Sequence, residues 1–282
     1  LGGLMAWRAG VFQWDLWLAT VLGLMFAHAT NNLLNDYTDS RRGIDKDNYY
    51  RNQYGVHVLE DGLMNERQFW RYLGVTAGIA LLLGGWLISQ RSGLTLDLML
   101  AGAFFVLFYT WPLKYYGLGE PAVLLVWGPL MVGGSYYVLA GQWSWDVAWL
   151  SLVFALGPTT VLFGKHTDKL LADKSKGVNT LPVILGERRS RGAVTAMILA
   201  QYVLSIALVA TGSFGWALLL VLLNLPNLPE LFRVYQQPKP TDKPGDYPEE
   251  VWPLWFSAHA FRHTRRFTSL FLVGVVLDTL LA

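Results

Sequence analysis

The sequence contains no cysteine, which excludes a disulfide framework and thiolate chemistry. Charge is scarce too. Asp, Glu, Lys and Arg supply 15% of the 282 residues, where a soluble domain carries about 25%. The formal net charge of +2 is too small to imply a nucleic-acid partner. No basic n-region or small-residue cleavage pattern marks a secretory leader. Leu1 to Trp7 reads instead as the tail of an apolar segment, so part of a first helix is expected to precede it.

What the chain has in abundance is apolar and aromatic surface. Hydrophobic residues make up 53% and aromatics 14%, with 13 Trp and 13 Tyr, a composition suited to lining two bilayer interfaces. Crossing the hydrocarbon core takes about 20 mostly apolar residues in a helix. Candidate spans are Asp15–Asn35, Phe69–Gln90, Leu96–Pro112, Ala122–Ala140, Val147–Lys165, Ala193–Thr211, Phe214–Tyr235 and Phe267–Ala282, the last preceded by a short amphipathic piece near Trp252–Phe261. Unpaired backbone groups in lipid cost several kcal/mol each, so the spans must be helices. With the remnant at Leu1–Trp7, the expected fold is an all-α bundle of about nine transmembrane helices around a central cavity, in a single domain over residues 1–282.

Long polar connections (Asp36–Arg67, Leu113–Pro121, His166–Arg191, Gln236–Glu250) alternate with short ones. Strict alternation puts all the long ones on one side of the membrane. Most Lys and Arg residues lie there, while the other side has little beyond Arg8 and Arg91. The positive-inside rule then makes the long loops cytoplasmic. A multi-pass protein of a bacterial or archaeal cell membrane is the expectation. The cluster Arg262-His263-Thr264-Arg265-Arg266, placed before the last span, falls on the same side, where lipid headgroups account for it.

Two constellations carry chemistry. The first is His28-Ala-Thr-Asn31-Asn32-Leu-Leu-Asn35-Asp36-Tyr-Thr-Asp39, followed by Gly43 and Asp45. Residues four apart share a helix face, so Asn31, Asn35 and Asp39 form one polar stripe with Asn32 and Asp36 beside it. Amides and carboxylates at membrane depth usually face a cavity or pathway; the bland alternative is a solvated helix end with interhelical hydrogen bonds. The second is Lys165-His166-Thr-Asp168-Lys169-Leu-Leu-Ala-Asp173-Lys174-Ser-Lys176-Gly177. Hard oxygen donors suit Mg²⁺, which bridges to substrate phosphates, and neighbouring lysines neutralise a diphosphate. His28 sits one turn before Asn32 and could line an acceptor pocket or simply be a hydrogen-bonded core histidine. Asp278, inside the last apolar segment, has no partner legible in the sequence.

These residues resemble the UbiA superfamily of intramembrane prenyltransferases. Asn35-Asp36-Tyr-Thr-Asp39 is similar to the first Asp-rich motif, and its continuation through Gly43 and Asp45 is closest to the branch acting on dihydroxynaphthoate. Arg51-Asn-Gln-Tyr-Gly55, Tyr109-Thr-Trp111-Pro112-Leu-Lys114-Tyr115-Tyr116-Gly117-Leu-Gly-Glu120, Gly128-Pro-Leu-Met-Val-Gly133-Gly and Asp173-Lys-Ser-Lys-Gly177-Val-Asn-Thr180-Leu-Pro182-Val follow in the family's order. Two departures stand out. Gly43 occupies the place of a third Asp, leaving Asp45 to substitute. Lys169 stands four residues before Asp173, where an Asp is frequent, and the acid is Asp168; one residue of slip rotates a helical side chain by about 100°.

The resemblance implies Mg²⁺-dependent transfer of a polyprenyl group from its diphosphate to a small aromatic acceptor, in menaquinone-type quinone synthesis. On that basis Asn35, Asp36, Asp39, Asp45, Asp168 and Asp173 are candidate metal ligands. Arg51, Lys114, Lys165 and Lys169 are candidate diphosphate contacts. Asp39, Asp173, Tyr109 and Lys114 are the expected catalytic group, and His28, Asn32, Trp111 and Tyr115 line the acceptor or prenyl pocket. Tyr109, Trp111, Tyr115 and Tyr116 could also face an allylic cation through their rings, or be interface aromatics. A prenyl-diphosphate-using enzyme with a non-aromatic acceptor, terpene cyclisation on the same scaffold and, from a different class, an ion-coupled transporter are the competing readings; a transporter predicts acids near mid-span and an inverted repeat.

Overall fold

The computed structural model describes residues 1–44 and 58–281. Among them are α1 (Gly2–Arg8), α2 (Trp14–Arg41), α3 (Glu66–Gln90) and α4 (Leu94–Phe108), then a 3-10 turn over Leu113–Tyr115. Next come α5 (Gly119–Ala140) and α6 (Trp145–Asp168), the short α7 (Leu170–Ser175) and α8 (Leu181–Leu185), then α9 (Glu187–Ala210), α10 (Trp216–Gln236) and α11 (Phe256–Leu281). By length and composition α3, α5, α6, α9 and α10 can each cross a membrane. Helices α2 and α11 are longer still, about 42 and 39 Å at 1.5 Å per residue, but carry charges along their length.

Local chemistry sets the boundaries. Asn65 opens α3 with a reciprocal capping box to Gln68, and the Ser144 hydroxyl accepts from Val147 N–H at the start of α6; each satisfies an orphan amide of a first turn. In α5 the helix breaks at Gly128, whose backbone leaves helical geometry just before Pro129. Proline cannot donate to the helical ladder. A side chain at Gly128 would also press on Ala155 Cβ at 3.1 Å, so the break lets α5 pack closely on α6.

The core lies between α6, α9, α10 and α11, with Leu150, Val153, Ile198, Leu218, Phe267 and Phe271 essentially fully buried. Helix α3, by contrast, turns Leu81 and Leu82 outward, 60% and 76% exposed, as expected of a surface solvated by lipid tails.

Two expectations change here. The helix carrying the first motif does not stop near Asn35 but runs to Arg41, so Asp36 and Asp39 are helical residues. The amphipathic piece near Trp252–Phe261 and the final span are not separate, because α11 is one helix from Phe256. Its buried positions Ser257, Ala260, His263, Phe267, Phe271, Gly274 and Asp278 recur every three or four residues straight through the arginine cluster, the spacing of one continuous helical face. The cluster therefore lies inside a helix and not ahead of one.

The bundle has two chemically distinct ends. At one, Arg8 pairs with Asp278 at 3.0 Å, Gly215 N–H donates to the same carboxylate at 2.7 Å, and Arg91 donates to the Val138 and Leu139 carbonyls that α5 leaves unpaired. That accounts for Asp278: it ties α1 and the start of α10 to the end of α11. The other end gathers both motifs.

Candidate active site

Helices α2 and α4 run parallel toward that end, and the polar stripe of α2 meets α4 and the segment that follows it in constant register. Asn31 donates to the Val106 carbonyl at 3.1 Å, Asn35 Oδ1 accepts from Thr110 Oγ1 at 3.0 Å, and Asp39 Oδ2 accepts from Lys114 Nζ at 2.7 Å; each pair is 75 residues apart. The four-residue spacing thus becomes a ladder whose last rung is a buried ion pair, with Asp39 3% and Lys114 7% exposed. Burial disfavours the Lys114 ammonium, but the Asp39 carboxylate outweighs it and Lys114 is held above its ordinary range. The lysine is charged at any physiological pH.

The second motif supplies the matching pair. Lys169, which ends α6, lies 3.1 Å from Asp173 on α7, both buried. Its positive charge is felt at Lys114, so the two pairs lie near one another. In each pair one carboxylate oxygen is taken by lysine. The other, Asp39 Oδ1 and Asp173 Oδ2, is buried with no hydrogen-bond partner among the described residues. An unsatisfied buried carboxylate oxygen is costly, and such exceptions in native structures point to a ligand or ion.

Tight loop contacts bring the motifs together. Lys176 donates to the Ile44 carbonyl, and Tyr116 forms a parallel bridge with Asn179. Gly117 takes a left-handed φ of +72° that L side chains rarely adopt, and a Cβ there would have to displace Ile184 Cδ1 at 2.5 Å. Beneath this contact Glu120, only 1% exposed, lies 2.6 Å from His166 Nδ1 through Oε1 and accepts from Leu181 N–H through Oε2. One carboxylate therefore links α5, α6 and α8.

Asp168 is differently engaged. Its oxygens accept from Phe256 N–H at 3.0 Å and Ser257 N–H at 2.9 Å, capping the first turn of α11. Lys239 covers it, donating to the Asp168 carbonyl at 3.1 Å and lying 3.7 Å from Oδ1. Gly164 permits the approach, since a Cβ there would meet Ser257 N at 2.8 Å. The slip noted in the sequence thus points this acid at a helix N-terminus, where orphan amides and the dipole favour an anion.

Residues 1–244 match the UbiA prenyltransferase family. The chain belongs to that family. Among its relatives, a 2-carboxy-1,4-naphthoquinone phytyltransferase of Synechocystis is 28% identical over 78% of this chain and 72% of its own length. UbiA prenyltransferase domain-containing protein 1 of Gallus gallus is 26% identical over 84% and 71%, and the 1,4-dihydroxy-2-naphthoate octaprenyltransferase of Escherichia coli 28% over 68% and 64%. A solved UbiA homolog from Archaeoglobus fulgidus, bound to DMAPP and Mg²⁺, superposes with a TM-score of 0.61 at 13% identity, over 96% of this chain and 94% of that one; at that identity the likeness concerns the fold.

The remaining candidate residues of this UbiA enzyme divide. Asp45 and Arg51 lie outside the described residues. Asp36 and Lys165 are half-buried at the same end. Arg42 stacks over Trp111 at 5.1 Å and Tyr115 at 4.8 Å, so those rings already hold a cation of the protein itself. Tyr116 is 69% exposed. Tyr109, partly buried at the end of α4, is near enough to Lys114, Asp39 and Glu120 to feel their charges. His28 and Asn32 bond to each other at 3.3 Å, and His28 packs edge-on against Trp127 beside the α5 break. Glu120, His166, Thr110 and Arg42 carry contacts that motif reading assigned no role. For Glu120 a signal existed, a carboxylate at the threshold of an apolar span.

Among the described residues no three acidic or histidine side chains converge as a ready-made metal cluster. The donor set still fits Mg²⁺: two buried carboxylates with one free oxygen each, all-oxygen chemistry, and lysines placed for phosphate oxygens. Mg²⁺ typically binds through one or two carboxylates plus substrate phosphates and water.

Proposed function

We propose that the enzyme transfers a polyprenyl group from its diphosphate to an aromatic acceptor of the dihydroxynaphthoate type, as in menaquinone synthesis, with Mg²⁺ held by Asp39 and Asp173. The observation that carries this reading is the two neighbouring buried Asp–Lys bridges, each with one carboxylate oxygen unpartnered among the described residues. Asn35 and Asp36 flank the same position on α2, and Asp168, saturated by backbone amides, stands outside the ligand set. Mg²⁺, when bound, neutralises diphosphate charge and makes it a better leaving group.

The chain's own groups do the rest. Lys114 and Lys169 offer ammonium groups to the phosphate oxygens, preorganised by the carboxylates that hold them. As the allylic C–O bond breaks, its electron pair leaves with the diphosphate, and the growing negative charge meets these cations. An electron-rich ring carbon of the acceptor forms the new C–C bond, and the ring then loses its proton. Tyr109, close enough to Lys114 and Asp39 to feel their charges, offers an aromatic face for sheltering the allylic cation. The relatives named for naphthoate and naphthoquinone substrates support this acceptor class. The concentration of Lys and Arg in the loops at the active-site end supports a cytoplasmic site.

The test is direct. Detergent-purified protein is incubated with radiolabelled polyprenyl diphosphate, 1,4-dihydroxy-2-naphthoate and Mg²⁺. Prenylated naphthoate is expected, lost with EDTA and lost in Asp39→Ala and Asp173→Ala. Diphosphate release unaffected by both variants ends the proposal, and release without acceptor alkylation points to cyclisation. Sidedness is read with a single cysteine introduced at Ser40 of the cysteine-free chain and labelled from either face.

A further inference from the structure

The arginine cluster of α11 sits in an unusual place. Thr264 donates to the Gly157 carbonyl and lies 3.4 Å from Thr160 Oγ1, and Gly157 leaves room for its methyl group. Gly157 is near the midpoint of α6, about 16 Å along the axis from Asp168 at 1.5 Å per residue. A hydrocarbon core is about 30 Å thick. Arg265 and Arg266 therefore leave the bundle near its mid-height, a level that lipid tails would occupy if α6 is centred in the bilayer, and both side chains are exposed. Arginines at that depth are rare and usually pair or face a polar cavity.

Here they border an open cleft of about 400 Å³ between α10 and α11, with Asn224, Asn227, Ser269 and Leu270 among its walls. Arg266 donates to Asn227 Oδ1 at 2.8 Å, and Asn227 Nδ2 donates to Asn224 Oδ1 at 3.0 Å. Asn224 in turn donates to the buried Tyr202 hydroxyl, which lies 3.1 Å from His263 Nε2, so one side of the cleft is anchored in the core. The Arg265 guanidinium has no hydrogen-bond or ion-pair partner among the described residues. The nearby acid Glu230 lies toward Arg262, at 3.9 Å. On the side away from the active-site end, exposed Leu223 and Val273, 66% and 50% accessible, continue the cleft as an apolar surface.

We propose that this cleft binds the phosphate of an anionic membrane phospholipid. Arg265 and Arg266 would grip the headgroup below the level of the bulk headgroups, with acyl chains lying over Leu223 and Val273. Guanidinium forks match phosphate oxygens two at a time, and an anion resolves the cost of two cations at this depth better than water alone. The site is separate from the Asp39–Asp173 centre and does not depend on the reading given for it.

The experiment is native mass spectrometry of detergent-purified full-length protein titrated with phosphatidylglycerol or phosphatidylcholine. Wild type is expected to retain one phosphatidylglycerol at about tenfold lower lipid concentration than phosphatidylcholine. Arg265→Glu and the milder Arg265→Gln, which break no existing contact, should erase that preference, whereas Arg188→Gln at the active-site end should leave it intact. A third arm uses farnesyl diphosphate without Mg²⁺ on the Asp173→Asn background. Equal retention of both phospholipids by wild type, retention unchanged in the Arg265 variants, or Arg265-dependent capture of farnesyl diphosphate in place of phospholipid each overturns the proposal. A wild-type dimer that Arg265→Glu converts to monomer, with lipid retention unchanged, overturns it in favour of a contact between copies.

Discussion

Asp173 and Asp168 stand five residues apart, both buried, both with a lysine nearby, and they are engaged in opposite ways. Asp168 has both oxygens filled by the Phe256 and Ser257 amides and is covered by Lys239. Asp173, like Asp39, keeps one oxygen without a hydrogen-bond partner among the described residues. The difference is in valence and not in charge or burial: a saturated carboxylate holds a fold together, and a half-satisfied one stores binding capacity. Sequence proximity to a motif does not separate the two cases.

The sharpest test of that contrast is removal of charge at each site. Asp39→Asn and Asp173→Asn are expected to lower kcat/KM on the order of 10³-fold, the scale of losing a preorganised electrostatic contact, with the thermal midpoint nearly unchanged. A loss under tenfold in steady-state prenyl transfer breaks the comparison on the catalytic side.

Lys114→Met comes next. It strands Asp39 as a buried unpaired anion, a change that typically costs about 3–5 kcal/mol. The double variant Lys114→Met, Asp39→Asn should recover most of that stability and none of the activity. Recovery of both in a double-mutant cycle would show the pair to be structural only.

Asp168→Asn should behave in the reverse way. Asn keeps a single acceptor oxygen, so one of the two buried amides loses its partner, which is expected to cost about 1–3 kcal/mol, seen as a lower thermal midpoint. Prenyl transfer measured well below that midpoint should stay within about threefold of wild type at the same Mg²⁺ half-saturation. A large rise in the Mg²⁺ requirement would return Asp168 to the ligand set.

The smallest effect concerns Lys239. Burial holds its ammonium below the ordinary lysine range despite the attraction of Asp168. Between that lowered value and the unfolded value near ~10.4, the unfolded chain binds more protons than the folded one. Stability contributed by this group therefore rises with pH through the window. Thermal melts from pH 8 to 10 should show that rise shrink in Lys239→Gln; an unchanged slope assigns it to another group.

Much of this was legible in the chain. Hydropathy located the long helices because a bilayer imposes one length and one polarity on every crossing segment. The 3.6-residue period put Asn31, Asn35 and Asp39 on one face, and the structure extends that face into a ladder with Val106, Thr110 and Lys114. Where local pattern misled, a distant partner decided the outcome. Hydropathy alone sets α11 to begin after its arginines, yet its buried face runs through them because those side chains project from the opposite face. Glu120 could be quoted but not given a role, since His166 and Leu181 reach it only in the folded bundle.

The sequence by itself determined an all-helical membrane architecture, the identity of the acidic motifs and the polar stripe of α2, because these follow from side-chain chemistry repeated at helical spacing. Tertiary structure alone decided which carboxylate oxygens are already spoken for, that Asp278 answers Arg8, and that Arg265 and Arg266 lie at mid-bundle depth. A carboxylate's vacancy and an arginine's depth depend on groups brought from elsewhere in the chain, and no local pattern encodes them.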